Sequence, residues 1–217
     1  MDAIELTGVV LLVQPIGEYD RRVVILTRER GKITAFARGA RRVNSPLMAA
    51  TSPFVFGRFT LYEGRNAYTL TAVSVTAYFN ELSSLSPGVY YGFYFLELAA
   101  YYGQEGMMAE GMVNLLYVTL RAIIKNSVPL PLLRRIYECR LMAENGEFAL
   151  PDETEGLDGA ATYALGFVAG CPIAALYSFS LSGKAEADFA SCVKKQLARC
   201  VDRKMKSLEM LTLMAGE

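Results

Sequence analysis

The chain has 217 residues, 53% of them apolar, with no histidine, no tryptophan and 22 acidic against 22 basic side chains, for a formal net charge of zero. That length can bury one large or two small cores, and the absence of histidine removes the usual general base and the commonest nitrogen ligand of zinc or iron. The neutral total hides a division, because residues 1–80 carry ten Lys/Arg against six Asp/Glu, residues 81–183 five against eleven, and residues 184–217 seven against five; a basic head that attracts polyanions is invisible in such a sum.

In chain order, residues 3–13 (AIELTGVVLLV) read as a strand ended by Gln14-Pro15. Tyr19 to Ser45 then holds eight cations, Arg21, Arg22, Arg28, Arg30, Lys32, Arg38, Arg41 and Arg42, opposed only by Asp20 and Glu29. Apolar residues alternate through it. Arg22, Val24 and Leu26 share one face of an extended segment and Arg21, Val23 and Ile25 the other, and the β-branched residues favour a strand. Gly31-Lys32 makes a turn, and Ile33, Ala35 and Ala37 then oppose Lys32, Thr34, Phe36 and Arg38 on a second strand. Cations and one aromatic, Phe36, thus lie on and beside a small sheet, as a phosphate backbone with a base to stack would require. The same residues would also serve as a solvated edge that discourages sheet pairing. A loop at 43–52 leads to a strand at 54–62, with Val55, Phe59 and Leu61 on one face if Gly57 marks a bulge. Glu63-Gly64-Arg65-Asn66 is a hairpin turn, and 67–78 is a fifth strand. Five short strands in about 80 residues suggest a small barrel, of the OB or the SH3-like kind.

After Asn80 the texture becomes helical. Val89, Phe93, Leu96 and Ala100 recur at helical spacing among Tyr90, Tyr91, Tyr94, Tyr101 and Tyr102, a group that reads as core before it reads as a stacking surface. Met108, Met112, Leu115, Leu116, Thr119 and Ile123 form the stripe of a second helix, core or else a plastic groove for a peptide. Residues 132–145 form a third helix closed by Gly146, with Arg134 and Arg135 placed to meet an acidic peptide's carboxylate or simply to face water. Residues 160–169 read as a short apolar helix or turn, 185–204 as the last long helix and 207–214 as a closing turn or helix. The whole reads as α+β: a DNA-binding barrel domain over 1–80 followed by an all-α domain over 81–217, expected to serve protein partners and additional DNA contacts.

The chemistry-bearing motifs are absent. There is no phosphate-binding glycine loop, and without histidine no Ser/His or Cys/His pair, so no catalytic residue is assigned. The acidic loop with Asp152, Glu153, Glu155 and Asp158 reads as solvated rather than cation-binding. Cys139, Cys171, Cys192 and Cys200 form no C-x-x-C; Cys192 and Cys200 lie about 12 Å apart along a helix, too far to bridge, so all four read as buried thiols of a reducing compartment. MDAIELTGVV has no basic region that would make it a secretory signal, and Val89–Tyr102 is too short to cross a membrane. A cytoplasmic protein without metal or cofactor is expected.

The run GEYDRRVVILTRERGKITAFARGARRVNS, with GVVLLVQP before it and FGRFTLYEGRNAYTLTAVSV after it, resembles the N-terminal domain of the RecO family of bacterial recombination mediators. Glu18, Thr27, Gly31, Arg38-Gly39-Ala40-Arg41-Arg42 and Ser45 carry the pattern. PLPLLRRIYECRLMAENGEFALPD and RKMKSLEML resemble later segments of that family. The resemblance implies an OB-fold followed by a helical domain, binding and annealing of single- and double-stranded DNA, a nucleoid-associated location, and partnership with RecR and with the acidic tail of single-stranded-DNA-binding protein. By position, Lys32, Arg38, Arg41 and Arg42 would contact DNA, with Arg21 and Arg22 added from the basic strand, and Arg134 with its neighbour Arg135 would meet the tail. The family's four-cysteine zinc module has no counterpart here, so no zinc is expected.

The reading is a non-catalytic DNA-repair mediator. A protein-binding scaffold whose arginines are incidental is the rival from another class, and a metal-dependent nuclease built on the acidic loop is a third.

Overall fold

The alternation at the head of the chain becomes five strands in the computed structural model, which describes residues 3–152 and 156–215. They are β1 (Ile4–Ile16), β2 (Asp20–Thr27), β3 (Gly31–Ala37), β4 (Phe56–Glu63) and β5 (Tyr68–Ala77), with a one-turn helix α1 (Leu47–Ala50) between β3 and β4. They close in the order β1-β2-β3-β5-β4, with β4 returning to β1. All pairs are antiparallel except β3 with β5. That closure is the OB-fold, and the SH3-like alternative is set aside. Register shifts at Val10/Leu12, Phe56/Gly57 and Thr60/Leu61 bend the strands into closure; the second is the irregularity expected at Gly57. The inward residues are those the period-2 pattern selects: Val10, Val23, Ile25, Ile33, Ala35, Val55, Phe59, Leu61 and Leu70 form one buried cluster.

β1 runs three residues past its expected end, through Pro15 to Ile16. Beyond Val9 this strand no longer pairs with β4; Val10 still bonds to Phe54 and Val55, and from Leu12 to Ile16 the strand pairs with β2. A proline without an N–H is tolerated on such an edge.

The chain divides into two compact units, Met1–Asn80 with Leu96–Val113, and Glu81–Phe95 with Asn114–Glu217. In the first, residues 103–109 lie against the β2–β3 turn. Lys32 N–H donates to the Gln104 carbonyl (3.2 Å), Gly106 N–H to Arg30 (3.0 Å) and Ala109 N–H to Arg28 (2.9 Å). Gly31 has φ +63°, and a Cβ there would lie 2.0 Å from the Gln104 carbonyl oxygen. Only glycine satisfies both the turn and the contact.

The helices are α2 (Gly88–Tyr102), α3 (Glu110–Lys125), α4 (Leu130–Glu144), α5 (Gly159–Gly170), α6 (Gly183–Cys200) and α7 (Lys206–Ala215). In the second unit α4 packs against α5 and α6. Tyr91, Tyr94, Phe95 and Tyr137 are fully buried; the rings of Phe95 and Tyr137 lie 4.4 Å apart, and the Tyr137 hydroxyl donates to the Phe95 carbonyl (3.0 Å). The aromatic group is therefore mostly core, with Phe93 exposed and Tyr90 and Tyr101 half-buried. Met108 departs from its expected place, lying before α3 and 77% exposed. Cys139, Cys171 and Cys192 are buried, whereas Cys200 is only half-buried.

Residues 159–170 form a full three-turn helix rather than a turn because both its ends are satisfied. Asp158, from the acidic loop, caps it by accepting from Ala160 N–H (2.9 Å). Arg140 donates to the carbonyls of Val168, Ala169 and Cys171 at its other end (3.2, 3.2 and 2.9 Å). Glu153 and Glu155 lie outside the described residues.

Candidate nucleic-acid interface

The barrel register assembles a strip that no single strand displays. Gln14 pairs with Arg22, Arg22 with Phe36, Phe36 with Thr69, and Thr69 with Tyr62. All five point away from the core, since their strand neighbours Val13, Val23, Ala35, Ala37, Tyr68, Leu70 and Leu61 face it. Directly paired side chains on one face lie about 5 Å apart at Cβ. Phe36 (36% exposed) and Tyr62 (41%) thus flank Thr69, with Arg22 on the next strand. The Arg22 guanidinium donates to Gln14 Oε1 (2.9 Å) on one neighbouring strand and to Thr34 Oγ1 (3.4 Å) on the other.

At the exit of β3 the chain turns over Arg38–Ser45, and Gly39 takes φ +66°. This loop is tied to the β1–β2 turn. Gly39 N–H donates to Asp20 Oδ1 (2.7 Å), and Arg41 N–H to the Tyr19 carbonyl (2.8 Å). Arg41 reaches the Gly17 carbonyl (3.2 Å), and the Arg42 guanidinium lies 5.3 Å from the centre of the Tyr19 ring. Arg38, Arg41 and Arg42 are all exposed, and none makes an ion pair among the described residues. The two acids that oppose them in sequence are occupied by backbone. Asp20 serves Gly39, and Glu29 accepts twice from Thr7 N–H (3.2 and 3.0 Å) beyond the far end of β2. Both keep their charge, but Glu29 is held away from the loop, so of these two acids only Asp20 stands beside the three arginines.

The remaining cations of the basic segment are braced. Arg21 donates to the Met48 carbonyl (2.5 Å) and Thr51 Oγ1 (2.9 Å), fixing α1 against β2. Arg30 meets Glu63 and the Tyr68 hydroxyl, each at 3.0 Å. Lys32 Nζ donates to the Ala100 carbonyl (2.6 Å). The structure thus groups Arg38, Arg41 and Arg42 at one loop, places Arg22 beside Phe36, and puts Arg21 and Lys32 in structural contacts elsewhere on the barrel. Tyr19 and Tyr62 were not singled out by sequence. The outward alternation of β4 marks Tyr62 as surface, but its alignment with Phe36 needs the β3–β5 pairing.

In the helical unit, Arg134 and Arg135 converge on the fully buried Glu138. Arg134 Nε lies 2.8 Å from Oε1 and Arg135 Nη1 2.7 Å from Oε2. The Tyr94 hydroxyl donates to Oε1 (2.7 Å), and the Arg134 guanidinium lies 5.0 Å from the centre of the Tyr94 ring. Burial and then the neighbouring Glu138 carboxylate push the Tyr94 hydroxyl well above its ordinary value. Among the described residues no three His, Cys, Asp or Glu side chains are grouped to hold a metal ion, and no helix is long and apolar enough to cross a membrane.

Residues 1–79 match the family model described as Recombination protein O N terminal. A DNA repair protein RecO of Alkaliphilus metalliredigens is 36% identical over 143 residues, covering 66% of this chain and 58% of the relative. Those of Symbiobacterium thermophilum and Desulforudis audaxviator are 35% and 32% identical over 140 and 139 residues, each covering 64% of this chain and 55% of the relative. The chain spans little more than half the length of these curated relatives. The resemblance drawn from the motifs is borne out, most firmly over the barrel.

Proposed function

We propose, on the premise that residues 1–79 are a RecO-type N-terminal domain, that this chain is a non-catalytic mediator of DNA repair and recombination. Its barrel binds single- and double-stranded DNA and promotes strand annealing. One observation carries the reading: three exposed cations, Arg38, Arg41 and Arg42, held on one braced loop at the end of the strand that presents Phe36. The loop's arginines neutralise phosphates and release counterions, and the Phe36–Tyr62 strip offers faces on which bases stack. Two strands whose charge is screened in this way lose their mutual repulsion and can pair. Arg22 joins the strip, whereas Arg21 and Lys32 contribute charge from braced positions.

The helical unit is the partner surface in this reading, for RecR and for the acidic tail of single-stranded-DNA-binding protein, leading to recombinase loading. Glu138 engages one N–H of Arg135; the guanidinium has further donors for a tail carboxylate, and Arg134 beside it is the more enclosed of the two.

Annealing of complementary oligonucleotides tests the proposal. The wild-type chain is expected to accelerate it and the Arg38/Arg41/Arg42→Ala variant to lose most of that acceleration. Equal acceleration by both would contradict the assignment to this loop. No acceleration by the wild type, together with intact partner binding, would favour the scaffold reading.

A further inference from the structure

Five basic side chains lie between residues 81 and 183. Three are engaged by carboxylates: Arg134 and Arg135 by Glu138, and Arg140 by Glu144. The other two, Arg121 and Lys125, make no ion pair among the described residues, and both line one recess of about 310 Å³. They sit four residues apart on α3 and so share a face. Lys125 also compensates the negative end of that helix, but Arg121 stands a turn earlier, where the helix end does not call for it.

The rest of the recess is fixed. The Thr119 hydroxyl donates to the Leu115 carbonyl (2.7 Å), so in its 2.6 Å contact with Tyr177 it accepts the phenolic proton. The Ser178 hydroxyl donates to the Ala175 carbonyl (2.7 Å). Tyr177 and Ser178 are therefore walls with their protons spent. Ser127, also in the lining, has its backbone N–H on the Ala122 carbonyl (3.2 Å), and its hydroxyl makes no hydrogen bond among the described residues. The donors left for a ligand are a guanidinium fork, an ammonium and one hydroxyl, beside the ring of Tyr117.

Two cations are too few for a nucleic-acid strand, which neutralises a row of phosphates. A single compact dianion suits the donor set, with the planar fork and the point charge on different oxygens. We propose that the recess binds one small phosphate monoester, of the nucleoside-monophosphate class, with the base against Tyr117. This is independent of the barrel surface.

Calorimetric titration of the full chain with inorganic phosphate and with deoxyadenosine monophosphate tests it. Both are expected to saturate a single site with millimolar or tighter affinity, the nucleotide more tightly. Arg121→Ala/Lys125→Ala is expected to weaken both by about tenfold or more, since it removes both cations that meet the ligand's oxygens, and to leave the circular dichroism unchanged because both side chains are exposed. Equal affinity for phosphate and nucleotide would assign the site to the free anion and keep the shared chemistry. No saturation by either, undiminished affinity in the double variant, or saturation only by an acidic peptide with a free carboxyl terminus would overturn it.

Discussion

Phe36 lies half in solvent on the outer face of β3, so removing its ring deletes stacking area and leaves the barrel core filled. Phe36→Ala is expected to weaken single-stranded DNA binding by about 1–3 kcal/mol, the range for one base stacked on one aromatic, without changing the dependence on salt. Fluorescence titration at two salt concentrations reads both quantities, and unchanged affinity would remove Phe36 from the interface. Glu138 is the opposite case, a fully buried carboxylate between two arginines. Glu138→Ala strands both guanidinium groups and is expected to cost about 3–5 kcal/mol of stability, seen as a fall in the urea midpoint. The basic segment was legible as a segment but not residue by residue. Arg21 and Lys32 look like Arg38 in sequence, yet their partners Thr51 and Ala100 lie 30 and 68 residues away, and nothing local announces such contacts.

The β2–β3 turn depends on Gly31 for its positive φ and for its close approach to residues 104–107. Gly17 also has positive φ, but nothing lies within 4 Å of where its Cβ would be. Gly31→Ala is expected to destabilise by well over the roughly 1 kcal/mol that conformational strain alone costs at Gly17→Ala; thermal melts of the pair separate crowding from strain, and equal losses would contradict the crowding. The helical unit has an alkaline limit. Burial holds the Tyr94 and Tyr137 hydroxyls well above 10 and the Cys139 thiol far above 9. The unfolded chain releases those protons near their ordinary values and the folded chain keeps them, so this contribution is complete below pH 9 and is lost as pH rises. Each group removes about 1.4 kcal/mol per pH unit above its unfolded value. The urea midpoint is expected to fall steeply between pH 9 and 11, less steeply in Tyr137→Phe; a flat profile would contradict the burial. Strands were the most legible elements, because Val23, Ile25, Ile33, Ala35 and Phe59 alternate cleanly. The extent of α5 was not, because its C-terminal carbonyls are satisfied by Arg140 from another helix.

Across the whole chain, the change from strand to helix texture near Asn80 was plain in the sequence, whereas the grouping of residues 96–113 with the barrel was not. Leu96, Leu98 and Ala99 have the periodicity of ordinary core helix, and the hydrogen bonds of 104–109 to the β2–β3 turn and of Lys32 to Ala100 reveal what they support. The division of charge was equally plain, and it carries the functional reading, because a basic loop on a chain of zero net charge is a local surface rather than a property of the total. The most direct test is the affinity of a labelled single-stranded oligonucleotide for the whole chain across a salt series, wild type against Arg38/Arg41/Arg42→Ala. Each phosphate contact on a single strand contributes about 0.7 to the slope of log affinity against log salt. The loop account expects a steep slope in the wild type that drops by about two in the variant. An unchanged slope would place the phosphate contacts elsewhere, and no binding by the wild type at low salt would contradict direct DNA binding by this chain.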